Sequence, residues 1–401
     1  MCQPSPASLT LPFMPGVGQE QRALRRARIA VTTAFAAHAV LSGLLGPWIP
    51  TLKERTGVDA GGLGIALTGF AFGLLVGTRV AGPAVRRWGG RSVVRTGIPG
   101  MGVGFALLPL AGALASLTSI FFGIGFLAGL LDVSMNIEAV AVERRFGRRV
   151  MTAIHGTWSV ALFVGAGLAS AGIAAGLRIG IHLPASAALV IFVSLAFLRW
   201  LPREDEGAAP RTEVPEIHRA GASRLVLRLC LVAGSSFLVE GIAIEWSAVF
   251  LRESVGAHAS AAGLGVVAFS AGMAASRFVG DRLVARVGQA AVTRVGATFA
   301  FASLGAMLIV HRLVPSIAAF GIVGVGLGPV VPLAFRSAGW TDRPGHPSAL
   351  PIVVTAGYVG SIVGPLLVGF IADQAGLRVA FVVPLVACAV AALTAGATRD
   401  R

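Results

Sequence analysis

Apolar residues are concentrated in twelve runs of about 20 residues, each followed by a shorter polar stretch. The runs cover 28–50, 61–81, 93–112, 117–142, 151–174, 181–201, 226–250, 259–279, 290–310, 314–335, 349–372 and 377–397. At 1.5 Å per residue, each run can cross about 30 Å of hydrocarbon as an α-helix. Strict alternation of apolar and polar residues, which would indicate strands, is absent. The pattern therefore predicts an all-α membrane protein with 12 transmembrane helices. Its weakest boundary lies between the fifth and sixth runs, from Gly176 to Pro184.

One polar stretch, 202–224, is much longer than the others and is rich in proline and charge. Such a stretch is typical of a linker outside the membrane. It divides the chain into a flexible cytoplasmic N-terminus (1–27), a six-helix bundle (28–201), a cytoplasmic linker (202–225), a second six-helix bundle (226–397) and a cytoplasmic tail (398–401).

The distribution of positive charge predicts the orientation. Of the 33 Lys and Arg residues, 27 fall on one side of the predicted spans and 6 on the other, so we expect both termini in the cytoplasm. Only 13% of residues are charged and 55% are apolar, which excludes a soluble domain. The net charge of +15 comes from these short arginine clusters, so we expect no nucleic-acid partner.

The two halves of the chain match each other at a nearly constant spacing. At an offset of 198, Trp48 matches Trp246, Arg79 matches Arg277, and the Phe-Gly-Ile stretch 122–124 matches 320–322. Because a duplicated unit of six spans keeps its direction, the pattern predicts two parallel repeats related by an axis along the membrane normal. A pathway is expected between the two bundles.

The stretch after the second run, GPAVRRWGGR (82–91), resembles the signature loop of the major facilitator superfamily. GDRLVARVG (280–288) resembles its counterpart in the second half. Three further stretches, 131–149, 154–160 and 357–370, are similar to a bacterial subgroup of that superfamily. The resemblance implies alternating access by rocking of the two halves, with a pathway lined mainly by spans 1, 4, 7 and 10.

The signature loops depart from the family pattern at one position. The family places an acidic residue four positions after the first glycine, where this chain has Arg86. In the second half the same position, counted from Asp281 so that the Arg286–Gly288 ending stays in register, is Ala285. Asp281 or Glu143 is a candidate replacement for the missing carboxylate. The residues predicted at the cytoplasmic gate are Arg79, Arg86, Arg87, Arg91, Glu138, Glu143, His155, Arg277, Asp281, Arg282 and Arg286.

Ionisable residues inside the apolar runs are candidates for the transport pathway, because each costs at least ~2.5 kcal/mol at the bilayer centre. Asp132 lies about 15 Å inside the fourth run, with Asn136 one turn further on. His38 lies at a similar depth in the first run, and Glu240 lies about two-thirds of the way across the seventh. Structural alternatives remain open, since Asp132 suits a hydrogen-bonded anchor between helices and His38 a packed core histidine.

Three further residues complete the predicted pathway. Glu245 lies nearer the far interface, where it is either part of the pathway or simply solvated. Trp158 and Tyr358, the only tyrosine, are aromatic rings on which a solute can stack.

These features predict a secondary transporter rather than an enzyme. We expect no cofactor, because no Walker loop is present, and no metal site, because no His, Cys and Asp cluster has metal-binding spacing.

The favoured function is proton-coupled uptake (symport) of a small polar solute, such as a sugar or organic anion, across a bacterial inner membrane. The stretch 165–170 lacks the Gly-Pro pair of drug/proton antiporters, which is why uptake is favoured. Efflux of a drug-like compound is the alternative, and a non-transporting sensor is a more distant one. The expected partners are the lipid bilayer, a small-molecule substrate and protons, with the chain as a monomer.

Overall fold

The computed structural model describes residues 17–146, 151–202, 224–339 and 349–398. The described residues form helices joined by short turns, and twelve helical spans are long and apolar enough to cross a membrane, as predicted. Spans 1 to 12 are Gln21–Thr56, Ala60–Trp88, Gly90–Leu110, Leu114–Arg145, Ala153–Ala174, Ile179–Leu198, Arg224–Ser254, Ala259–Val287, Gln289–Val310, Leu313–Gly339, Leu350–Ala375 and Leu377–Thr398.

The predicted non-membrane segments lie largely outside the described residues. This holds for the linker, of which residues 203–223 are not described, and for the tail from residue 399. In the N-terminal segment the structure differs from the prediction, because the helix of span 1 begins at Val17. Residues 17–27 contain mainly Gln, Glu, Ala, Leu and Arg, which are strong helix formers even where they are too polar for the membrane.

Three turn glycines in each half show the repeat in the backbone. The positive φ of Gly57, Gly89 and Gly176 recurs at Gly256, Gly288 and Gly376. These are the turns after spans 1, 2 and 5 and after spans 7, 8 and 11, at offsets of 199 to 200 residues. An L side chain is disfavoured in this backbone region, so glycine is required at the same place in both copies.

The offset increases from 198 at Trp246 to 199 at Arg252, and a π-helical turn explains the difference. Span 7 ends in the π-turn Phe250–Ser254, whereas span 1 continues as an α-helix to Thr56. A single inserted residue in a helix is accommodated as such a turn. Within this turn Arg252-Glu253 of span 7 corresponds to Lys53-Glu54 of span 1.

These two corresponding ends bind each other across the middle of the molecule. Lys53 Nζ lies 2.6 Å from Glu253 Oε2, and Arg252 Nε lies 3.4 Å from Glu54 Oε1. The two ion pairs are therefore reciprocal, as expected for parallel copies on a two-fold axis along the membrane normal. We call this end of the bundle the opposite face, and the end with Arg86 and Arg286 the arginine-rich face.

Spans 2 and 11 also join the two halves at the opposite face. A Cβ on Gly64 of span 2 would lie 3.2 Å from the Cα of Gly369 in span 11, so the two backbones touch. At the end of span 11, Asp373 accepts hydrogen bonds from the backbone N–H groups of Ala60 (3.0 Å) and Gly61 (2.9 Å). These are the first, otherwise unpaired, donors of the span 2 helix.

Span 10 is broken in the middle of its length. Its two helices, Leu313–Leu327 and Val330–Gly339, are separated at Gly328 and Pro329. In an unbroken helix the Gly328 carbonyl would accept from the N–H of residue 332, but Pro332 has no N–H. The break therefore leaves a carbonyl in the interior that needs another donor.

Candidate functional site: a polar cluster between the two halves

Four side chains in the middle of the spans face the seam between the halves: Asp132, Glu240, Arg277 and Tyr358. We call them the central cluster. All four are half-buried. Among the described residues, each keeps at least one side-chain polar atom that has no hydrogen-bond partner and is still reachable by solvent. Water can therefore reach all four groups.

Asp132 and Tyr358 form one end of the cluster, from spans 4 and 11. Asn136 is one turn after Asp132 and donates to its backbone carbonyl at 2.8 Å and to its Oδ1 at 3.4 Å. The Asp132 carboxylate interacts electrostatically with Tyr358. The Tyr358 ring lies 6.0 Å from that of Phe237, which is one turn before Glu240 on span 7. This aromatic pair thus connects the surroundings of Asp132 with the face of span 7 that carries Glu240.

Arg277 of span 8 forms the other end, together with Glu240. Its Nε donates to the Gly328 carbonyl at 3.2 Å, which supplies the donor that Pro332 lacks. Its Nη1 donates to Ser159 Oγ of span 5 at 2.8 Å, a bond between the two halves. The guanidinium also interacts electrostatically with Glu240, although no oxygen of that carboxylate lies within ion-pair distance.

His155 and His38 lie around this end of the cluster. His155 is exposed, interacts electrostatically with Arg277 and packs edge-on against Phe35, with ring centroids 5.2 Å apart. His38 is buried, and its Nδ1 accepts a hydrogen bond from Trp158 Nε1 at 3.2 Å. A nitrogen that accepts carries no proton, so neutral His38 is protonated on Nε2. This buried nitrogen makes no hydrogen bond of ordinary geometry among the described residues, but it lies near the Ala128 backbone of span 4.

Glu245 lies five residues further along span 7, towards the opposite face. It is half-buried, and its Oε2 is sealed from solvent without a hydrogen-bond partner among the described residues. Its other carboxylate oxygen is not sealed, so the pathway and solvated alternatives for Glu245 both stay open. The apolar run ends at residue 250, but the helix continues through the π-turn to Ser254. Glu245 therefore lies further from the end of its helix than the apolar run indicates.

The residues predicted at the gate fall into three groups. Exposed side chains at or near the arginine-rich face are Arg79, Arg86, Arg87, Asp281, Arg282 and Arg286. Three other side chains make contacts within the first half. Arg91 donates to the Arg199 carbonyl at 3.1 Å, and Glu143 accepts from the Met151 N–H at 2.8 Å. Glu138 contacts Gly90 at the start of span 3. Arg277 and His155 lie instead beside the central cluster.

Two contacts between the halves involve residues that the sequence analysis did not select. Ser159 adjoins Trp158, which was selected for its ring, but a serine inside an apolar run carries no signal of its own. Asp373 lies just beyond the eleventh run and resembles an ordinary helix-end charge. The Lys53-Glu54 and Arg252-Glu253 pairs did leave a signal, a cation followed by Glu at an offset of 199.

The comparisons with known proteins agree with this architecture. The model of the Major Facilitator Superfamily matches residues 31–333 and 229–399. An uncharacterized MFS-type transporter of Yersinia pestis is 31% identical over 387 residues, covering 96% of this chain and 97% of that protein. An uncharacterized transporter of Sinorhizobium fredii is 32% identical over 370 residues, covering 89% and 96%.

Among solved structures, a D-xylose-proton symporter superposes with a TM-score of 0.74 at 14% identity, covering 93% of this chain and 97% of that one. At this identity the likeness establishes the fold alone. Together with twelve membrane helices in two parallel repeats, the matches along the whole length identify the family: the chain belongs to the Major Facilitator Superfamily, whose members are membrane transporters.

Proposed function

We propose that this transporter takes up a small polar solute together with protons and that Asp132 is the group that binds the transported proton. Glu240 or His38 assists it. The solute binds at the central cluster while the two halves rock about it. The arginine-rich face then lies in the cytoplasm, with both termini, in a bacterial inner membrane.

The state of Asp132 is the observation that carries this proposal. Its carboxylate lies in the middle of span 4, and its Oδ1 receives only a long hydrogen bond from Asn136, its neighbour on the same helix. A structural anchor would instead be bonded to another helix. A carboxyl group at membrane depth with a free oxygen towards the seam is placed to take up and release a proton as the seam opens to either side.

The chemistry of the cluster favours a polar solute over a drug-like compound. Two carboxyl groups, a guanidinium and a phenol converge on the seam, whereas a site for a drug-like compound is lined mainly by apolar side chains with few polar groups. The aromatic rings of Phe237 and Phe335, 6.0 Å apart, provide an apolar wall on one side only. Efflux by proton antiport would use the same carboxylates, so direction has to be measured.

Proteoliposomes that enclose a pH-sensitive dye test this proposal directly. Labelled sugars, sugar acids and short organic acids are added outside, and solute uptake and internal acidification are followed in parallel. We expect solute entry with acidification by wild type and loss of gradient-driven uptake in Asp132→Asn. Asp59→Asn is the matched control, because Asp59 caps span 2 at the opposite face, far from the cluster. Unchanged gradient-driven uptake in Asp132→Asn would exclude Asp132 as the coupling group.

A further inference from the structure

Arg277 is a cation at membrane depth without a direct ion pair, because Glu240 acts on it electrostatically but from beyond ion-pair distance. It lies ten residues before the end of span 8, about 15 Å along the helix. Both of its hydrogen-bond partners, the Gly328 carbonyl and Ser159 Oγ, are neutral, and among the described residues no carboxylate lies within ion-pair distance of it. An ionisable residue inside the membrane is costly and marks a substrate or ion pathway by default, so Arg277 is a candidate for binding an anionic solute.

The direct bonds of Arg277 leave its second terminal nitrogen free. Nε donates a hydrogen bond to the Gly328 carbonyl at the break in span 10, and Nη1 donates to Ser159 Oγ. The Ser159 hydroxyl in turn donates to the His155 carbonyl at 3.3 Å. Nη2 has no partner among the described residues and is not sealed from solvent. Both bidentate edges of a guanidinium, Nε/Nη2 and Nη1/Nη2, include Nη2, so the free Nη2 can receive one carboxylate oxygen directly, and the second oxygen can bind Nη1 in place of Ser159.

From this arrangement we propose that Arg277 binds a carboxylate of the transported solute and that the solute is a small organic acid rather than a neutral sugar. The inference rests on the proposed function in taking the central cluster as the solute site. Asp132 and Glu240 offer free acceptor oxygens across the seam. The same acid therefore carries hydroxyl or ammonium donors on the part of it that faces them.

Binding of a carboxylate at Arg277 also affects a contact between the two halves. The Arg277–Ser159 bond joins span 8 to span 5, and Gly156 of span 5 packs against Phe278 beside it, with a Cβ position 3.5 Å from the ring. A carboxylate competes with the neutral serine oxygen for Nη1, and a charged acceptor forms the stronger hydrogen bond. Solute binding therefore releases one bond that holds the halves together at this depth.

Pairs of probes that differ in one carboxylate test the proposal: acetate against acetamide, and glucuronate against glucose. The measurement is the thermal unfolding midpoint of the purified full-length protein in detergent, at constant ionic strength, as a function of probe concentration. We expect the acids to raise the midpoint and their neutral partners to act only at about tenfold higher concentration or above. Arg277→Gln should abolish the difference, and Arg277→Lys should weaken it, because lysine keeps the charge but not the fork.

Two further variants keep the test decisive. Arg79→Gln removes the arginine at the corresponding position of the first half, which is exposed, and it should respond to acids as wild type does. Ser159→Ala frees Nη1 without removing charge, so the response to acids should persist even if Arg277→Gln fails to fold. The proposal is overturned if acids and their neutral partners act alike, if Arg277→Gln or Arg277→Lys responds as wild type does, or if Ser159→Ala no longer responds.

The binding measurement needs no pH gradient, so it is independent of the coupling experiment. An acid-specific response that depends on Arg277, without gradient-driven uptake, would leave this inference standing and remove proton coupling. Uptake of neutral sugars driven by the gradient, without an acid-specific response, would exclude this inference and leave proton coupling standing.

Discussion

Asp373 should control how firmly the opposite face is closed. It lies on span 11, whereas the N–H groups that it binds, those of Ala60 and Gly61, begin span 2 in the other half. Both hydrogen bonds must break when the halves separate at this face. Asp59 caps the same helix end by accepting from the Gly62 N–H at 2.7 Å, but it belongs to that helix and moves with it. Asp373→Ala should therefore shift the equilibrium between the closed and open states, and Asp59→Ala should not.

The size of the shift follows from the geometry. Replacing a carboxylate that caps a helix by alanine costs about 1 kcal/mol, and the attraction to the helix dipole adds about 0.3–1 kcal/mol at an exposed site. Asp373 is exposed, so we take about 1–2 kcal/mol in all, which corresponds to a roughly 5- to 30-fold change in the ratio of closed to open molecules. Asp373→Asn keeps one acceptor oxygen and should give a smaller shift.

Distance distributions between two spin labels measure this ratio. With the native cysteines replaced, labels at Ala175→Cys and Ser260→Cys report on the separation of the two halves at the opposite face, since both positions are exposed there. The long-distance population should grow in Asp373→Ala. If that population changes no more than in Asp59→Ala, Asp373 is an ordinary helix cap and the reasoning is wrong.

Two other matched pairs of variants test the packing and the histidine. Gly165→Ala should lower the thermal unfolding midpoint, because the added Cβ would meet the Val40 backbone and such overpacking costs about 1–3 kcal/mol. Gly167→Ala, two residues further along and facing open space, should be neutral or stabilising. Equal midpoints in the two variants would contradict the contact with Val40. Trp158→Phe and Trp48→Phe each remove one tryptophan-to-histidine hydrogen bond of 3.2 Å and should cost similar stability, about 0.5–1.5 kcal/mol. Only Trp158→Phe should impair solute uptake if its partner His38 belongs to the pathway, and equal transport by both variants would make His38 a packing residue.

The number, length and repeat of the spans were predictable because each rests on a local property. An apolar run of about 20 residues forms a membrane helix wherever it lies in the chain, and the offset of 198 needs only two aligned copies. The position of Asp132 near the middle of its span follows from the same pattern. What it faces was not predictable, since Tyr358 is contributed by the other half.

The depth of a residue differs from what its apolar run indicates where the helix extends beyond that run. Arg277 lies two residues before the eighth run ends at 279, which indicates an interfacial charge, but the helix continues to Val287. The extra turns carry exposed charges that interrupt the apolar pattern without ending the helix. The bond from Arg277 to Ser159 spans 118 residues of sequence, so no local pattern could indicate it.

The two copies have stayed alike at their ends and diverged in the middle. At the opposite face, Lys53-Glu54 and Arg252-Glu253 still pair reciprocally, and the same turn glycines recur in both halves. At the offset of 198, by contrast, Asp132 corresponds to Val330 and Glu240 to Ser42. Pseudo-symmetric ends suit an interface whose two halves must open and close together. A solute has no such symmetry, so the two carboxylates that face it are free to differ between the copies, even though Arg277 keeps its counterpart in Arg79.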